Sequence, residues 1–374
     1  MFFCPTAGVF IVAAKRTPFG TYGGVLKDHS ATDLAEHAAK AALAAGAVAP
    51  EIVNSVIMGN VLQTSADAPY IARHVGLRCG VPIPVPALTV NRLCGSGFQS
   101  IINGAQEICL RESDVVLCGG SESMSQAPYA VRNIRFGTKF GFDLKVSLFS
   151  CEHYRPPYMQ TCLFVRLQTS HSTTVLPLWV FGSFPEVHYL FHTGPIWSVL
   201  LLFHRVPSTV KHPRLTQFFL PSQSLPGLQG VSDGAAALVI TSEEALKEHK
   251  LTPLARVVAY HVSGCDPSIM GIGPVPAVTE ALKKAGLSLS DMDLVEVNEA
   301  FAPQYLAVAK ALGLDPEKSN VNGGAIAIGH PLGASGARIT AHLVHELRRR
   351  GGKYAVGSAC IGGGQGIAIV LEKC

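Results

Sequence analysis

Three glycine-bound stretches hold the residues best suited to covalent chemistry. Asn91-Arg92-Leu93-Cys94-Gly95-Ser96-Gly97-Phe98 lies upstream, and Gly329-His330-Pro331-Leu332-Gly333-Ala334-Ser335-Gly336 and Cys360-Ile361-Gly362-Gly363-Gly364 lie far downstream. The glycines let backbone N–H groups come close to a ligand. Two thiols and an imidazole in such settings suit acyl transfer through a thioester. A thiolate takes an acyl group, an imidazole activates it, and a second thiol shuttles a proton. Cys94 falls where a strand is expected to pass into a helix over 98–108, and a helix N-terminus favours thiolate through its N–H donors and partial positive charge. The competing reading is a small buried core thiol, the commoner fate of a free cysteine; the run Gly95-Ser96-Gly97 favours the nucleophile. His330 stands in a loop between Gly329 and Pro331, so a packed core histidine is the weaker alternative.

The elements that must position these loops occur twice. Residues 38–58 read as an Ala-rich helix, a break at Gly46 and a strand over Ile52-Val53-Asn54-Ser55-Val56-Ile57. Residues 277–297 repeat the order, with a helix through Lys284, a break at Gly286 and a strand over Met292-Asp293-Leu294-Val295-Glu296-Val297. A second echo follows each. Val90-Asn91 leads through the Cys94 loop and a helix to Val115-Val116-Leu117-Cys118-Gly119-Gly120; Val321-Asn322 leads through the His330 loop and a helix over 337–349 to Tyr354-Ala355-Val356-Gly357 and the Cys360 loop. Alternating strand and helix predicts two stacked α/β units with mixed sheets. Repeats of more than about a hundred residues mark a duplicated domain, because solenoid periods run roughly 20–50.

A chain of 374 residues exceeds one typical core and accommodates two such halves. Hydrophobic residues at 48% and charged residues at 15% argue against disorder. The net charge of +4 includes no Lys/Arg block; Arg348-Arg349-Arg350 closes a helix, where cations complement the dipole, so no nucleic-acid partner is expected. The ten cysteines lack CxxC spacing and several sit in strand-like runs, which indicates free thiols in a reducing compartment. Cys109, Cys118 and Cys265 read as packing residues. Cys151, His153 and Cys162 match no metal-ligand spacing, and His342 and His345 have no third ligand nearby, so no metal is expected. The longest apolar run, 196–203, falls far short of the ~20 residues of a spanning helix. Neither Met1-Phe2-Phe3-Cys4-Pro5 nor Glu372-Lys373-Cys374 carries a transit or peroxisomal pattern.

Between the halves the character of the chain changes. From 146 to 229 it holds seven charged residues (Glu152, Arg155, Arg166, Glu186, Arg205, Lys211 and Arg214), both tryptophans and repeated prolines. No helical or alternating period lasts beyond a few residues, which predicts an irregular insert. Val146-Ser147 is what an intron start, GTAAGT, encodes. Phe218-Phe219-Leu220-Pro221-Ser222 followed by Gln229 fits a pyrimidine tract ending in CAG. The insert therefore reads as translated non-coding sequence in place of a genuine loop region.

With these residues in view, the chain resembles the thiolase family. The resemblance rests on Asn91-Arg92-Leu93-Cys94-Gly95-Ser96-Gly97, Asn298-Glu299-Ala300-Phe301-Ala302, Gly329-His330-Pro331-Leu332-Gly333 and Cys360-Ile361-Gly362-Gly363-Gly364-Gln365-Gly366. Four ordered motifs make accident negligible, where one Gly-rich loop would be weak. It covers about 7–145 and 230–374. Within the family, the run from Val12 to Gly20 is similar to the mitochondrial branch that cleaves 3-ketoacyl-CoA, the acetyl-CoA acyltransferases.

The resemblance implies an α/β thiolase fold, two duplicated βαβ-type halves stacked as a layered αβαβα architecture with an irregular insert. The expected divisions are 1–145 for the N-terminal half, 146–229 for an atypical insert replacing the loop domain, 230–250 for the last part of the N-terminal half, and 251–374 for the C-terminal half. It implies cleavage of 3-ketoacyl-CoA by CoA, yielding acetyl-CoA and a shortened acyl-CoA, as in fatty acid β-oxidation. Cys94 would carry the acyl group, His330 would activate it, and Cys360 would act as acid and base on acetyl-CoA. Asn298, through a water, and His330 would form one oxyanion hole; the N–H groups of Cys94 and Gly362 would form the other. Glu299 is read as a carboxylate that orients its loop in preference to a base. CoA and acyl-CoA would be substrates with no cofactor permanently bound, in a homotetramer of the mitochondrial matrix.

Thiolases carry a loop domain over CoA between their halves, and 146–229 shows none of that pattern. No CoA contact carries over, and Gln229 stands where a small serine is expected beside the pantetheine. Remote binding energy supports turnover as well as affinity, so such losses weaken both. The alternatives are an acetoacetyl-CoA-forming thiolase and a non-catalytic thiolase-like subunit. A ketoacyl synthase shares the stacked fold but would use two histidines, and Cys360 argues against it.

Overall fold

The computed structural model describes residues 8–131, 137, 146–147, 162–169, 172–179 and 230–374. The first half contributes β1 (Phe10–Arg16), β2 (Gly20–Thr21), α1 (Ala31–Ala45), β3 (Ser55–Gly59), α2 (Ile71–Arg78), β4 (Ala87–Val90), α3 (Ser96–Leu110) and β5 (Val115–Ser123). Next come the short pair β6 (Ala130–Val131) and β7 (Val146–Ser147), the strands β8 (Cys162–Thr169) and β9 (Ser172–Trp179), and then β10 (Ser232–Thr241) and α4 (Glu243–Glu248). The second half supplies β11 (Ala255–Gly264), α5 (Pro274–Ala285), β12 (Leu294–Val297), α6 (Ala302–Leu312), α7 (Ala325–Ile328), α8 (Ser335–Arg350), β13 (Tyr354–Ile361) and β14 (Gln365–Lys373).

Ten of the strands form one sheet in the order β12-β13-β14-β11-β1-β10-β5-β3-β4, with β2 beside β10. Read outward from the β1–β11 seam, each half places an antiparallel neighbour first, then a strand that pairs in parallel with the next. The duplication seen in the repeats is thus a duplication of strand order.

Side-chain alternation builds the layers. Val116 and Cys118 of β5 and Leu238 and Ile240 of β10 point to a central core, while Val115, Leu117 and Val239 point to an outer one. In β14, Ile367, Ile369 and Leu371 face the centre, and Ala368 and Val370 face outward. Strands apolar on both faces require cover on both faces. The helices α3 and α8 fill the centre with Phe98, Ile101, Ile102, Ile339, Leu343 and Leu347; α1 covers the first half through Leu34, Ala38 and Leu43, and α5 the second through Ala277, Val278 and Ala281. The result is the layered αβαβα arrangement.

Most predicted elements fall close to their expected bounds. The helix expected over 98–108 spans Ser96–Leu110, and the one expected over 337–349 spans Ser335–Arg350. The strand expected from Ile52 begins only at Ser55, because Pro50 at the first position of a 3₁₀ turn holds Pro50–Ile52. Breaks fall at Gly46, which caps α1, and at Gly286, which caps α5 in the left-handed region at φ 69°.

Within the insert, Val146–Ser147 pairs with Ala130–Val131. A separate unit, Gln160–Ser224, contains β8 and β9, an antiparallel pair running from Cys162↔Trp179 to Thr169↔Ser172. The β-branched run Thr173-Thr174-Val175 suits a strand, a propensity outweighed in the sequence by the surrounding prolines. The rest of the insert, including the pyrimidine-tract residues, Gln229, Cys151 and His153, lies outside the described residues.

Candidate active site

Cys94 sits in the turn between β4 and α3. Asn91 Oδ1 accepts from the Leu93 N–H at 3.0 Å, and Ser96 Oγ accepts from the Arg92 N–H at 2.8 Å while donating to the Leu93 carbonyl at 2.7 Å. These bonds hold Leu93 at φ 46°, a left-handed conformation that costs a β-carbon residue about 1–2 kcal/mol. Strain of this kind collects at functional sites. It lifts the half-buried Cys94 onto a sharp bend, where its sulfur meets its own N–H and that of Gly362.

Cys360, next to last in β13, is fully buried and close enough to Cys94 for the two thiols to interact electrostatically. Burial holds its thiol well above the usual range, with Cys94 and then Cys265 adding to the rise. Cys265, expected only to pack in a loop, is therefore a near neighbour of the site; its N–H donates to the Gly364 carbonyl at 2.8 Å.

His330 follows Gly329, whose φ of 95° and approach to Ser232 leave no room for a side chain: a Cβ there would lie 2.3 Å from Ser232 Oγ. The imidazole is 1% exposed. Its Nδ1 lies 2.5 Å from Ser335 Oγ, and Ser335 Oγ donates to the Pro331 carbonyl at 3.0 Å. Its Nε2 lies 3.4 Å from Asn298 Nδ2. With the hydroxyl proton on Pro331 and an amide donor facing Nε2, the network assigns the proton to Nδ1 and the lone pair, accepting from Asn298, to Nε2. Burial first, then Arg338, lowers the imidazole pKa to about 3, so it is neutral at ordinary pH. Asn298 Oδ1 is buried without a partner among the described residues and keeps its acceptor capacity for a substrate or solvent donor.

Two glycine contacts bring the Cys94 and His330 loops to one end of the central layer. A Cβ on Gly97 would lie 2.5 Å from the Ala337 nitrogen, and one on Gly336 would lie 2.2 Å from the Phe98 nitrogen. The first turns of α3 and α8 therefore cross backbone against backbone. Cys94 precedes one crossing point by three residues, and His330 precedes the other by six.

The expectation of a helix-stabilised thiolate needs correction. Cys94 lies ahead of α3, whose cap is Gly95, and burial pushes its thiol up to about 11 despite the opposing N–H groups of Gly362 and Cys94 itself. Desolvation outweighs the donors. Both the Cys94 thiol and the His330 imidazole rest neutral.

Supporting residues clarify other expectations. Glu299 accepts from Asn320 Nδ2 at 2.8 Å and from the Ile326 N–H at 3.1 Å, the contacts of a carboxylate orienting the loop ahead of His330. His342 bonds Glu296 and Asn322 while His345 meets the Ala14 carbonyl, so the two serve different partners. Arg349 and Arg350 pair with Glu346, and Arg348 caps carbonyls. A cavity of about 710 Å³ lined by residues including Asn91, Arg92, Leu93 and Gln365 flanks the Cys94 turn without touching Cys94, His330 or Cys360.

Sequence reasoning missed Ser335 and Glu122. Ser335 was visible only as a small residue at a helix start. Glu122 was visible as a charge closing the apolar strand β5. The buried Glu296–Arg338 pair also went unread, since Arg338 sits within an ordinary helix pattern.

Comparison with known proteins places this geometry among relatives. A family model described as the thiolase N-terminal domain matches residues 9–153, and one described as the thiolase C-terminal domain matches 251–373. The chain is 60% identical over 391 aligned residues to the mitochondrial 3-ketoacyl-CoA thiolase of Homo sapiens, covering 98% of each. It resembles the crystal structure of human mitochondrial 3-ketoacyl-CoA thiolase in complex with CoA at a TM-score of 0.79 and 54% identity, with 98% of each chain covered. The Bacillus anthracis acetyl-CoA acetyltransferase structure matches at a TM-score of 0.76 and 34% identity, covering 98% of this chain and 99% of that one.

Proposed function

Because the chain belongs to the thiolase family, we propose that it cleaves 3-ketoacyl-CoA with CoA, giving acetyl-CoA and an acyl-CoA shortened by two carbons, through an acyl-thioester on Cys94. The observation that carries this reading is the Gly362 N–H on the Cys94 sulfur, with the Cys360 thiol near enough to interact with it, at the same end of the central layer as a buried, neutral His330.

His330 Nε2 takes the Cys94 proton as the sulfur attacks the 3-keto carbon. Since both groups rest neutral, the thiolate forms only in the act of attack. Breaking the Cα–Cβ bond leaves the acyl group on Cys94 and an enolate of acetyl-CoA, which the Cys360 thiol protonates. The resulting Cys360 thiolate takes the proton of incoming CoA, whose sulfur attacks the thioester; Cys94 departs and recovers its proton from His330. The N–H groups of Cys94 and Gly362 serve one oxygen, and His330 with an Asn298-held water serves the other. Donors fixed where charge develops supply the largest electrostatic gain.

CoA takes the part of substrate, with no resident cofactor. The relatives' names suggest the mitochondrion; residence in the matrix and assembly as a homotetramer complete the proposal. Transfer of labelled acetyl from acetyl-CoA to Cys94, run beside Cys94→Ser and His330→Ala, tests it. A Cys94 adduct absent from Cys94→Ser and strongly slowed in His330→Ala is expected. Folded protein that acquires no adduct is instead a non-catalytic subunit.

A further inference from the structure

Four strands of the first half, β1-β10-β5-β3, correspond in order to β11-β14-β13-β12 of the second, and the register sets Glu122 where the other half holds Cys360. β3 closes on the pair Gly59↔Gly120 and β12 on Val297↔Ser358. Asn60 follows Gly59, and Glu122 stands two residues beyond Gly120. Asn298 follows Val297, and Cys360 stands two residues beyond Ser358. Each second residue faces a glycine on the neighbouring strand, Glu122↔Gly234 and Cys360↔Gly366. One half thus offers a thiol to the Cys94 loop, and its twin offers a carboxylate to the His330 loop.

Glu122 is fully buried. Its Oε1 accepts from the Leu62 N–H at 2.9 Å and Asn60 Nδ2 at 3.3 Å; its Oε2 accepts from the Val61 N–H at 3.2 Å and the Gly333 N–H at 2.9 Å. Gly333 lies three residues beyond His330, and its backbone rests on the first half: a Cβ on Gly120 would lie 1.9 Å from the Gly333 carbonyl oxygen. The carboxylate therefore ties the turn bearing His330 to the 60–62 loop.

We infer that Glu122 is a positioning residue for the thioester chemistry proposed above, its carboxylate clamping the His330 turn to the first half so that the imidazole stays aligned with Cys94. It acts through the Gly333 backbone and does not take part in bond making. The titratable groups that interact with it are Asp233 on β10 and Cys94 in its turn. Burial raises its carboxyl to about 7, against the pull of the Leu62, Gly333 and Val61 N–H groups. Once protonated, one oxygen becomes a donor facing backbone donors, and the clamp loosens.

Single-turnover transfer of labelled acetyl from acetyl-CoA to Cys94, between about pH 6 and about pH 9, tests this in full-length wild type, Glu122→Gln and Glu122→Asp, with rates normalised to folded protein by circular dichroism. The wild-type rate is expected to fall below about pH 7. Glu122→Gln should be at least about tenfold slower at about pH 8 and lose that acid limb, while half-saturation by acetyl-CoA stays within about threefold. Glu122→Asp should be intermediate and keep the limb. A Glu122→Gln rate within about twofold of wild type, or a slower rate with the limb intact, overturns the positioning role. A flat wild-type rate from about pH 6 to about pH 8 overturns it without any variant. Absence of the adduct in wild type instead removes the thioester reading on which the role depends.

Discussion

His330 Nδ1 and Ser335 Oγ lie 2.5 Å apart, and the hydroxyl is already committed to the Pro331 carbonyl. One serine at the start of α8 therefore decides which ring nitrogen keeps its proton and which can act as a base. Ser335→Ala is expected to slow acetylation of Cys94 by about tenfold or more while changing half-saturation by acetyl-CoA little, since a base in the wrong tautomer loses much of the 10²–10⁴ that general-base catalysis contributes. Rapid-quench measurement of the labelled adduct reads both quantities.

Cys360 has a narrower task than Cys94. Cys360→Ala should still accept labelled acetyl on Cys94 but lose about 10²–10⁴ in thiolysis, because no thiol remains to protonate the enolate. Loss of the adduct in a folded Cys360→Ala would show that the thiol is needed for acyl transfer itself.

Protonation of His330 links the site to stability. A folded pKa of about 3 lies below the ordinary value of 6.5, so the unfolded chain binds the proton first as pH falls. The contribution of His330 is intact above about 6.5 and declines toward about 3. Urea denaturation at about pH 5 and about pH 7 should show a smaller difference in His330→Gln than in wild type. An imidazole NMR titration with a midpoint near 6.5 would contradict the assignment.

The crossing of α3 and α8 leaves no space for a methyl group. Gly97→Ala should cost at least about 1–3 kcal/mol, the usual penalty of overpacking, because the nearest atoms are backbone and cannot turn aside. A Gly286→Ala control meets no neighbouring atom and isolates the cost of its left-handed backbone. Denaturant midpoints for the two variants give the comparison.

The reading of the insert as non-coding sequence predicts that transcripts joining the flanking codons directly will outnumber those that retain the middle. Sequencing of transcripts across codons 140–235 decides it. Abundant spliced message encoding the insert refutes that origin.

The order of motifs and the doubled strand–helix pattern were legible because glycine and apolar periodicity report on local backbone needs. Cys94, Cys360 and His330 stood out as reactive groups in glycine settings. Their protonation states did not, because desolvation depends on what the other half brings against them; for Cys94 it reversed the expectation drawn from the helix terminus. Glu122 was illegible for the same reason. Its donors come from Asn60, Val61, Leu62 and Gly333, and only the fold brings the 60–62 loop and Gly333 together around it.

The return of the chain at β10 bears on what the middle of this protein is free to become. β10 is gripped by β1 on one side and β5 on the other, so the chain that leaves after β5 must return to a fixed place at Ser232. Lengthening a connection between two fixed ends is in general cheap, about 0.6 kcal/mol for each doubling. The elements that carry Cys94, His330 and Cys360 lie outside that span, so changes within it leave their sequence and their pairing partners untouched.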